Sequence, residues 1–431
     1  MASPSVDNGQ AKTFEWWMLA NFAIGAGYSA FVSMLIPPFV KEVAGDASAA
    51  GIVMAIIALG ALLGPALGSF ADKYSAHRLV LVLGVAAMAL AFVMLALSSE
   101  TSELFALDAI VMGVGIAAVS AVGPVFIVGA RLTQAVEAKQ LTTYSLMMPA
   151  GQLVGGLLLA AVTSWSFTQR FWLGAVVMAA ALVTVWLASS TPNRRLQSAI
   201  ASGKAANEET SPAVKEARRS SLRQVFLSMF GVYILVLTLS SMANNGVNSQ
   251  IANIMPNVYG MSEQMTSTMI GLAGLLNIVL FFPAGRWMGR RGGFSPFTAG
   301  IVARFAAGVG MAVVGAALDN AMLLGAAFMQ LMYNAAPFAR LVQSSLAVRF
   351  ATFPAGAASG WVIAASATGS FLGSLIGGFL ADQFGFNAVN WMAAVAAGLS
   401  VAVLWIWLRP AEQRIRDQSA GASATADAVA G

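Results

Sequence analysis

Apolar stretches, each about as long as a membrane-crossing helix, follow one another along the chain and are separated by short polar segments. A helix needs about 20 mostly apolar residues to cross the hydrocarbon core of a bilayer. Twelve such stretches are predicted as spans 1 to 12, at 16–37, 48–70, 78–98, 104–131, 141–164, 170–189, 224–247, 262–283, 296–317, 320–343, 355–380 and 388–408. The pattern therefore predicts an all-α integral membrane protein with 12 transmembrane helices.

One long polar segment divides these spans into two groups of six. It runs from Thr191 to Leu222, is rich in Ser, Ala, Lys, Arg and Glu, and has no apolar period, so a disordered linker is predicted. The predicted domains are a cytoplasmic tail at 1–15, a six-helix bundle at 16–190, a cytoplasmic linker at 191–222, a second six-helix bundle at 223–408 and a cytoplasmic tail at 409–431.

The positive charges favour one side of the membrane once this span count is applied. Lys and Arg residues next to membrane spans stay on the cytoplasmic side. With both termini cytoplasmic, 21 of the 23 Lys and Arg residues fall inside, and only Lys41 and Arg170 fall outside. A multi-pass protein of the cell inner membrane is therefore predicted, and glycine- and alanine-rich spans with short loops favour a bacterial one. The net charge of +5 follows from this topology, so no nucleic acid partner is expected.

Composition excludes most other functional classes. With 58% hydrophobic and 10% charged residues, the chain cannot cover the surface of a soluble enzyme of this length. Cysteine is absent and His77 is the single histidine, so we expect no metal, no cofactor and no catalytic residue. No phosphate-binding Gly-x-x-x-x-Gly-Lys loop is present, which disfavours ATP hydrolysis. The expected partners are the lipid bilayer and a small-molecule substrate, and the chain is expected to be monomeric.

Short strings of residues recur between the two halves. Three segments of the first half match segments of the second: 151–156 with 373–378, 130–134 with 339–343, and 68–78 with 285–293. These matches join span 5 with span 11, span 4 with span 10, and span 2 with span 8. Parallel six-helix repeats are the expected design of a transporter whose halves rock around a central site.

The segment after span 2 carries a loop motif, Gly-Ser-Phe-Ala-Asp-Lys, from Gly68 to Lys73. Together with twelve spans in two halves and a cytoplasmic linker, this motif resembles the major facilitator superfamily, whose loop signature is G-x-x-x-D-[RK]-x-G-R-[RK]. Ser75 and Ala76 stand where the later Gly and Arg of the signature belong, and Gly289 replaces the acid in the second copy. The resemblance implies two pseudo-symmetric six-helix bundles and transport by alternating access.

The resemblance also implies roles at the interface between the halves. Asp72 is expected to hold the cytoplasmic side closed by pairing with loop cations and a helix N-terminus of the other half, although a solvated loop acid is the alternative. The other expected gating residues are Gly68, Lys73, Arg78 and Arg290. Glycines are expected to pack span 2 on span 11 and span 5 on span 8 across the interface, either for rocking or for close packing alone: Gly60, Gly64, Gly151, Gly155, Gly369, Gly373 and Gly377.

Acidic residues are scarce within the predicted spans. Charges in hydrocarbon are costly and therefore point to function. No Asp, Glu, Lys or His lies near the middle of any predicted span, and Asp108 and Glu137, near the two ends of span 4, are weak candidates for coupling to a proton. Gln152 stands where exporters of the superfamily often have proline, which weakens an antiporter interpretation. A facilitator without a coupling ion stays open.

Polar residues on the spans that line the pathway in this superfamily are the candidate substrate-binding residues. Arg131 and Arg340 close spans 4 and 10, where they could clamp a carboxylate or phosphate or simply anchor the spans at the interface. The neutral candidates are Asn21, Tyr28, Ser120, Ser241, Asn244, Asn245, Gln330, Tyr333 and Asn334, with Trp361 on span 11. Hydrogen bonding between helices is the alternative role for these side chains.

The sequence thus predicts a secondary active or facilitative transporter that moves a small organic solute, with an organic anion as one candidate. A proton-coupled exporter of drugs and other amphipathic compounds is the alternative among transporters. A non-transporting membrane sensor on the same fold is the alternative of another class.

Overall fold

The described residues of the protein, in a computed structural model, are 12–97, 104–130, 132–207, 228–351 and 355–414. They form helices joined by short turns, and no strand occurs among them. Eleven of these helices are long and apolar enough to cross a membrane: α1 (Trp16–Ala44), α2 (Ala47–Tyr74), α3 (His77–Leu97), α4 (Phe105–Val128), α5 (Gln134–Ala161), α6 (Phe167–Ala188), α7 (Met229–Asn248), α8 (Glu263–Arg291), α9 (Phe294–Ala317), α11 (Ala358–Phe384) and α12 (Asn387–Arg414).

The remaining predicted span, α10, is an interrupted helix. It comprises Met322–Asn334 and, after Ala335, Ala336–Arg340. Pro337 lies at the start of the second piece, where it lacks the N–H that would continue the hydrogen-bond ladder. The two pieces occupy the position of the tenth span, so the prediction of twelve transmembrane helices is confirmed, with one of them broken. A shorter distal helix, Ile251–Tyr259, follows α7.

The prediction of a disordered linker is wrong for the first part of the segment, because Ser190–Asn207 is an α-helix that follows α6. Leu196 on this linker helix is 1% exposed, so the helix is docked on the first half. Arg195 donates to both carboxylate oxygens of Glu15, at 2.5 and 2.6 Å. The helix has few apolar residues, so its sequence alone does not reveal that it is helical and packed. The predicted remainder of the linker (208–222) and most of the two tails (1–11 and 415–431) lie outside the described residues.

The bundle has two ends, which we name by the chain termini. The terminal face is the end where α1 begins and α12 ends, and the distal face is the opposite end. Side chains that accept a hydrogen bond from a backbone N–H fix the start of three helices at the distal face: Asp46 before α2, Ser166 before α6 and Ser262 before α8. These caps set where α6 and α8 enter the bundle from the distal face.

The two halves meet at the distal face and separate toward the terminal face. One buried hydrophobic cluster is continuous between the first half and the distal part of the second half, whereas the terminal part of the second half has a cluster of its own. Across the interface α2 packs on α11, and α5 packs on α8. A Cβ atom added to Gly51 would lie 2.6 Å from the Cα of Gly378, and one added to Gly156 would lie 2.5 Å from the backbone nitrogen of Gly271. Only glycine permits backbones to approach this closely.

The seven glycines predicted at the interface lie instead on faces that pack within each half. On α2, a Cβ atom added to Gly60 would meet Gly113 of α4, and Gly64 lies nearest to Ala121. On α5, Gly151 and Gly155 face α1, and on α11, Gly369, Gly373 and Gly377 face α7. Spacing by four defines one face of a helix but does not identify the helix that packs on it. On α2 the glycine that contacts the other half, Gly51, lies more than two turns closer to the distal end, whereas on α5 and α11 the contacting glycines, Gly156 and Gly378, directly follow a predicted glycine and lie on a different face of the helix.

We expect Gly156→Leu to separate the halves at the distal face, because the new side chain needs the space that the α8 backbone occupies. The chain has no cysteine, so spin labels can be attached specifically at Glu42→Cys and Gln383→Cys, both exposed at the distal face. The distance between the labels should lengthen by several Å, measured by double electron–electron resonance.

Gly285→Leu is the matched control, since no atom lies within 4 Å of a Cβ placed there. This control should leave the distance between the labels unchanged. An unchanged distance in Gly156→Leu itself would show that backbone contact at Gly156 does not hold the distal face closed.

Candidate functional site

A cavity of about 510 Å³ lies between the two halves. The cavity is enclosed on its distal side. Toward the terminal face the halves separate: a Cβ atom added to Gly68 of α2 or to Gly285 of α8 would have no atom within 4 Å. The first half contributes Asn21, Tyr28, Ser29, Leu141, Ser145, Met148, Pro149 and Gln152, and the second half contributes Asn244, Asn245, Asn248, Asn277, Phe281, Tyr333, Ala336, Pro337, Arg340 and Leu341. A volume of this size accommodates a metabolite-sized or drug-sized molecule.

Irregular segments of α1 and α10 shape the cavity wall. Gly25–Val32 of α1 is a π-helix and carries Tyr28 and Ser29, and π-helical turns often occur at functional sites. The break at Ala335 in α10 lies between Tyr333 and the short turn that ends at Arg340. Backbone irregularity at membrane depth is tolerated where it lines a cavity. Both departures from α-helical geometry therefore fall on the cavity wall.

Arg340 is the only charged side chain that lines the cavity in the part of the chain that the structure describes. Its Nη1 lies 3.6 Å from the sulfur of Met148 in the first half. A second guanidinium, that of Arg304 on α9, is buried behind the wall, donates to the Ser240 hydroxyl at 2.7 Å and repels Arg340. The cavity therefore carries an excess of positive charge.

Hydrogen bonds close the cavity on its distal side. The Tyr333 hydroxyl donates to the amide oxygen of Asn248, and the Asn248 amide nitrogen donates to the Ser33 hydroxyl across the two halves at 3.1 Å. The Ser33 hydroxyl in turn donates to the backbone carbonyl of Tyr28 at 3.1 Å. We call this chain of groups the distal bridge. It connects two cavity residues of the second half to the π-helix of the first half.

Charged side chains add contacts between the halves at the distal face. Arg170 at the start of α6 forms an ion pair with Glu263 at the start of α8. Lys41 at the end of α1 lies 4.5 Å from the ring centre of Phe386, which precedes α12. These are the two cations that sequence analysis placed on the outer side, and both join the first half to the second.

Half of the predicted substrate-binding residues line the cavity, namely Asn21, Tyr28, Asn244, Asn245, Tyr333 and Arg340. Others point elsewhere: Ser120 is exposed on α4, and Ser241 faces Gly369 of α11. Gln330 donates to the Met269 carbonyl at 2.6 Å and accepts from Asn334 at 2.9 Å, so this pair joins α10 to α8. Trp361 packs against the terminal hydrophobic cluster, and Arg131 lies outside the described residues.

Sequence analysis missed five polar residues on the cavity wall: three lie on α5 and α8, which it did not consider for substrate binding, and two lie on α1 and α7, which it did consider. The missed polar residues are Ser29, Ser145, Gln152, Asn248 and Asn277. α5 and α8 line the cavity, whereas α4 does not among the described residues. A signal was present, since Gln152 and Asn277 are amides well inside long apolar spans. The Asn277 side-chain oxygen is buried and has no hydrogen-bond partner among the described residues.

The predicted gating and coupling residues lie away from the cavity. Asp72 is 71% exposed and its Oδ1 lies 2.8 Å from Nε2 of His77 in the same half. Arg78 donates to the Trp186 carbonyl at 2.9 Å and to the Ser189 hydroxyl at 3.2 Å, and Lys73 lies over the Tyr74 ring. Gly68 and Arg290 face open space. Asp108 is buried in the first turn of α4 and Glu137 lies in the first turn of α5, so neither lines the cavity.

Residues 17–351 match the sequence model of the Major Facilitator Superfamily. The fold is similar to that of a D-xylose–proton symporter, with 15% identity and a TM-score of 0.68 over 91% of this chain and 96% of that chain. It is similar to the nucleoside transporter NupG, with 13% identity and a TM-score of 0.64 over 91% and 98% of the two chains. The human organic anion transporter MFSD10 gives 15% identity and a TM-score of 0.62 over 93% and 100%. No curated protein sequence matches this chain.

We expect Ser33→Ala to weaken closure of the distal side, because it removes the hydroxyl that joins Asn248 to the π-helix of α1. Ser145→Cys provides a cysteine on the cavity wall. With Ser33→Ala added, a membrane-impermeant maleimide applied from the distal side should label Ser145→Cys about fivefold faster. This is the change expected if the lost hydrogen bond contributes about 1 kcal/mol to closure of the distal side.

Ser400→Ala is the matched control, since Ser400 is fully buried like Ser33 but donates to the Val236 carbonyl within the second half. Its labelling rate should equal that of the unmodified background. Equal rates for Ser33→Ala and Ser400→Ala would contradict a closing role of the distal bridge.

Proposed function

Since the chain belongs to the Major Facilitator Superfamily, we propose that it moves a small organic anion across a bacterial cytoplasmic membrane. The resemblance found in the sequence is confirmed: the chain is a multi-pass membrane protein with the fold of this superfamily, and it is a secondary transporter. Members of this superfamily are transporters rather than enzymes. The substrate class, the membrane and the direction of transport are the parts that we propose.

The observation that carries the proposal is the isolated positive charge of Arg340 on a cavity wall that is otherwise neutral over the described residues. A guanidinium binds a carboxylate or phosphate through two parallel hydrogen bonds, and the attraction is strong where water is partly excluded. Arg304 behind the wall raises the positive potential further. An anionic group on the substrate would therefore be stabilised next to Arg340.

Neutral polar groups on the wall support a substrate that is organic and polar beyond its charge. Asn244, Asn245 and Asn277 present amides, and the unpartnered oxygen of Asn277 can accept a hydrogen bond from a hydroxyl or amine. Phe281 and Met148 add apolar surface. The solved structure of the organic anion transporter MFSD10 shares only the fold at 15% identity, so the chemistry of the wall is the stronger support.

We propose that the terminal face is cytoplasmic, so that both tails and the linker lie inside and the described conformation is open to the cytoplasm. Support comes from the distribution of cations, with only Lys41 and Arg170 on the distal side. The two bundles at 16–190 and 223–408 would then rock about the cavity.

Two energy sources for transport are considered, and we propose that a proton gradient is the less well supported of the two. The D-xylose–proton symporter has a similar fold, but no acid lines the cavity among the described residues of this chain. A coupling acid would have to act from elsewhere, and Asp108 and Glu137 stay the candidates. Transport down the concentration gradient of the anion itself needs no coupling acid.

We expect Arg340→Gln to weaken binding of an anionic substrate by about 10- to 100-fold, the range for a lost hydrogen bond to a charged group. The purified protein would first be screened by thermal shift against carboxylates, phosphate esters, sugars, nucleosides and drugs. Flux of the best ligand would then be measured in proteoliposomes with and without a pH gradient.

Arg286→Gln is the control, because it makes the same change in charge on an exposed part of α8 that does not line the cavity. Its flux should equal that of the wild type. Full anion flux in Arg340→Gln would overturn the proposed substrate class, and flux of a neutral drug that survives the change would favour the exporter alternative. Ligand binding without any flux would favour a sensor.

We propose that Asp72 stabilises the state in which the terminal face is closed, since it contacts only its own half in the open conformation. Asp72→Asn should therefore shift the equilibrium toward the open state. Labelling of Ser145→Cys from the terminal side should accelerate in this variant. An unchanged labelling rate would support the alternative of a solvated loop acid.

A further inference from the structure

A second cavity of about 480 Å³ lies between α9 and α12 at the terminal face, outside the central cavity. Its lining consists of Phe294, Ser295, Thr298, Ala299, Val302, Trp405, Arg409, Glu412 and Gln413. None of these residues belongs to the wall of the central cavity. The cavity combines one cation, a few neutral polar groups and an apolar floor.

Arg409 is the group in this cavity that can bind an anion. It is exposed, its guanidinium lies 4.3 Å from the ring centre of Trp405, and no carboxylate lies within 4 Å of it among the described residues. The Ser295 hydroxyl and the Gln413 amide are the neutral donors on the wall. The Thr298 hydroxyl already donates to the Phe294 carbonyl at 2.9 Å, so it can only accept.

Glu412 does not reverse the charge of the cavity. Its carboxylate is 3% exposed and lies 2.8 Å from Nη1 of Arg349. Because that carboxylate is already compensated and buried, it is a poor partner for the ammonium group of a zwitterionic ligand. The cavity therefore favours a ligand with a net negative charge.

A comparison of equivalent positions in the two halves explains the gap between α9 and α12. Ser295 corresponds to Arg78 when Gly68 is aligned with Gly285, and each is the second residue of its helix, α9 and α3. In the first half Arg78 bridges α3 to α6 by donating to Trp186 and Ser189. In the second half the shorter Ser295 leaves a gap between α9 and α12, and the cation at the gap comes from Arg409 instead.

The surroundings place the cavity at the boundary between hydrocarbon and headgroups. Trp405, Ile406 and Trp407 are 49%, 59% and 49% exposed at the end of an apolar helix, the position at which aromatic side chains meet the membrane surface. Arg409 lies one turn beyond Trp405, on the side of the headgroups. Val302, 39% exposed, continues the apolar surface toward the hydrocarbon.

We propose that this cavity binds the headgroup of an anionic phospholipid such as phosphatidylglycerol. Arg409 pairs with the phosphate, Ser295 and Gln413 donate to its oxygens, and an acyl chain follows the surface of Val302 and Trp405. Basic pockets between transmembrane helices are suited to anionic headgroups, and each nearby cation contributes about 1 kcal/mol. The site is independent of the substrate and of the direction of transport.

The test uses the full-length protein purified with phosphatidylglycerol or phosphatidylcholine and native mass spectrometry to titrate retained lipid. The wild type should retain phosphatidylglycerol more tightly than phosphatidylcholine, and Arg409→Gln should weaken retention of phosphatidylglycerol about fivefold. Arg414→Gln, which makes the same change of charge farther along α12 and outside the cavity, should retain phosphatidylglycerol like the wild type.

Ser295→Arg provides a second variant that does not remove a cation. It reproduces the arrangement of the first half and should fill the gap, so retention of phosphatidylglycerol should fall although the net charge rises. Unchanged retention in both Arg409→Gln and Ser295→Arg, or equal retention of the two lipids by the wild type, would overturn the proposal. Stabilisation by glycerol phosphate equal to that by the lipid, read by thermal shift, would identify a soluble phosphate ester as the ligand and would also overturn it.

Discussion

Close approach of backbones at the distal face is the constraint on which the remaining structure depends. Helices in lipid gain little hydrophobic free energy from packing on one another, so small residues and hydrogen bonds must hold them together. Here the contacts at Gly51 and Gly156, the distal bridge and the pair of Arg170 with Glu263 lie at one end of the interface. Because these contacts hold the halves together at that end, the other end can separate and the cavity can open.

The charge of the cavity is the second feature that organises the structure. α10 is interrupted at Ala335, and its short second piece ends at Arg340. This interruption positions the guanidinium on the cavity wall. No described acid of the wall compensates it. The neutral amides of α7 and α8 surround the same space, so the cavity offers one fixed charge and several adaptable hydrogen-bonding groups. This arrangement selects a ligand by its charge first and by its shape second.

The sequence was sufficient for the fold because membrane spans have a strong signal in length and hydrophobicity. It was less informative about faces of helices. Glycine spacing located one face of α2, α5 and α11, yet those faces pack within each half. Arg340 and Tyr333 were found because they interrupt an apolar span at a position that the superfamily uses. Asn248 was missed although it lies one turn from Asn244, because its contact with Ser33 depends on a long-range arrangement of the halves.

The distal bridge and the charge of Arg340 bear on opposite steps of an alternating-access cycle. Closing the terminal face would remove water from Arg340, and a cation without a partner is costly in such surroundings. A bound anion lowers this cost, so it stabilises the closed state relative to the open one by its differential affinity for the two. Opening the distal face, in contrast, requires loss of the hydrogen bond between Asn248 and Ser33, whether or not the substrate is charged. Charge recognition would therefore control the first step, and neutral hydrogen bonds would control the second.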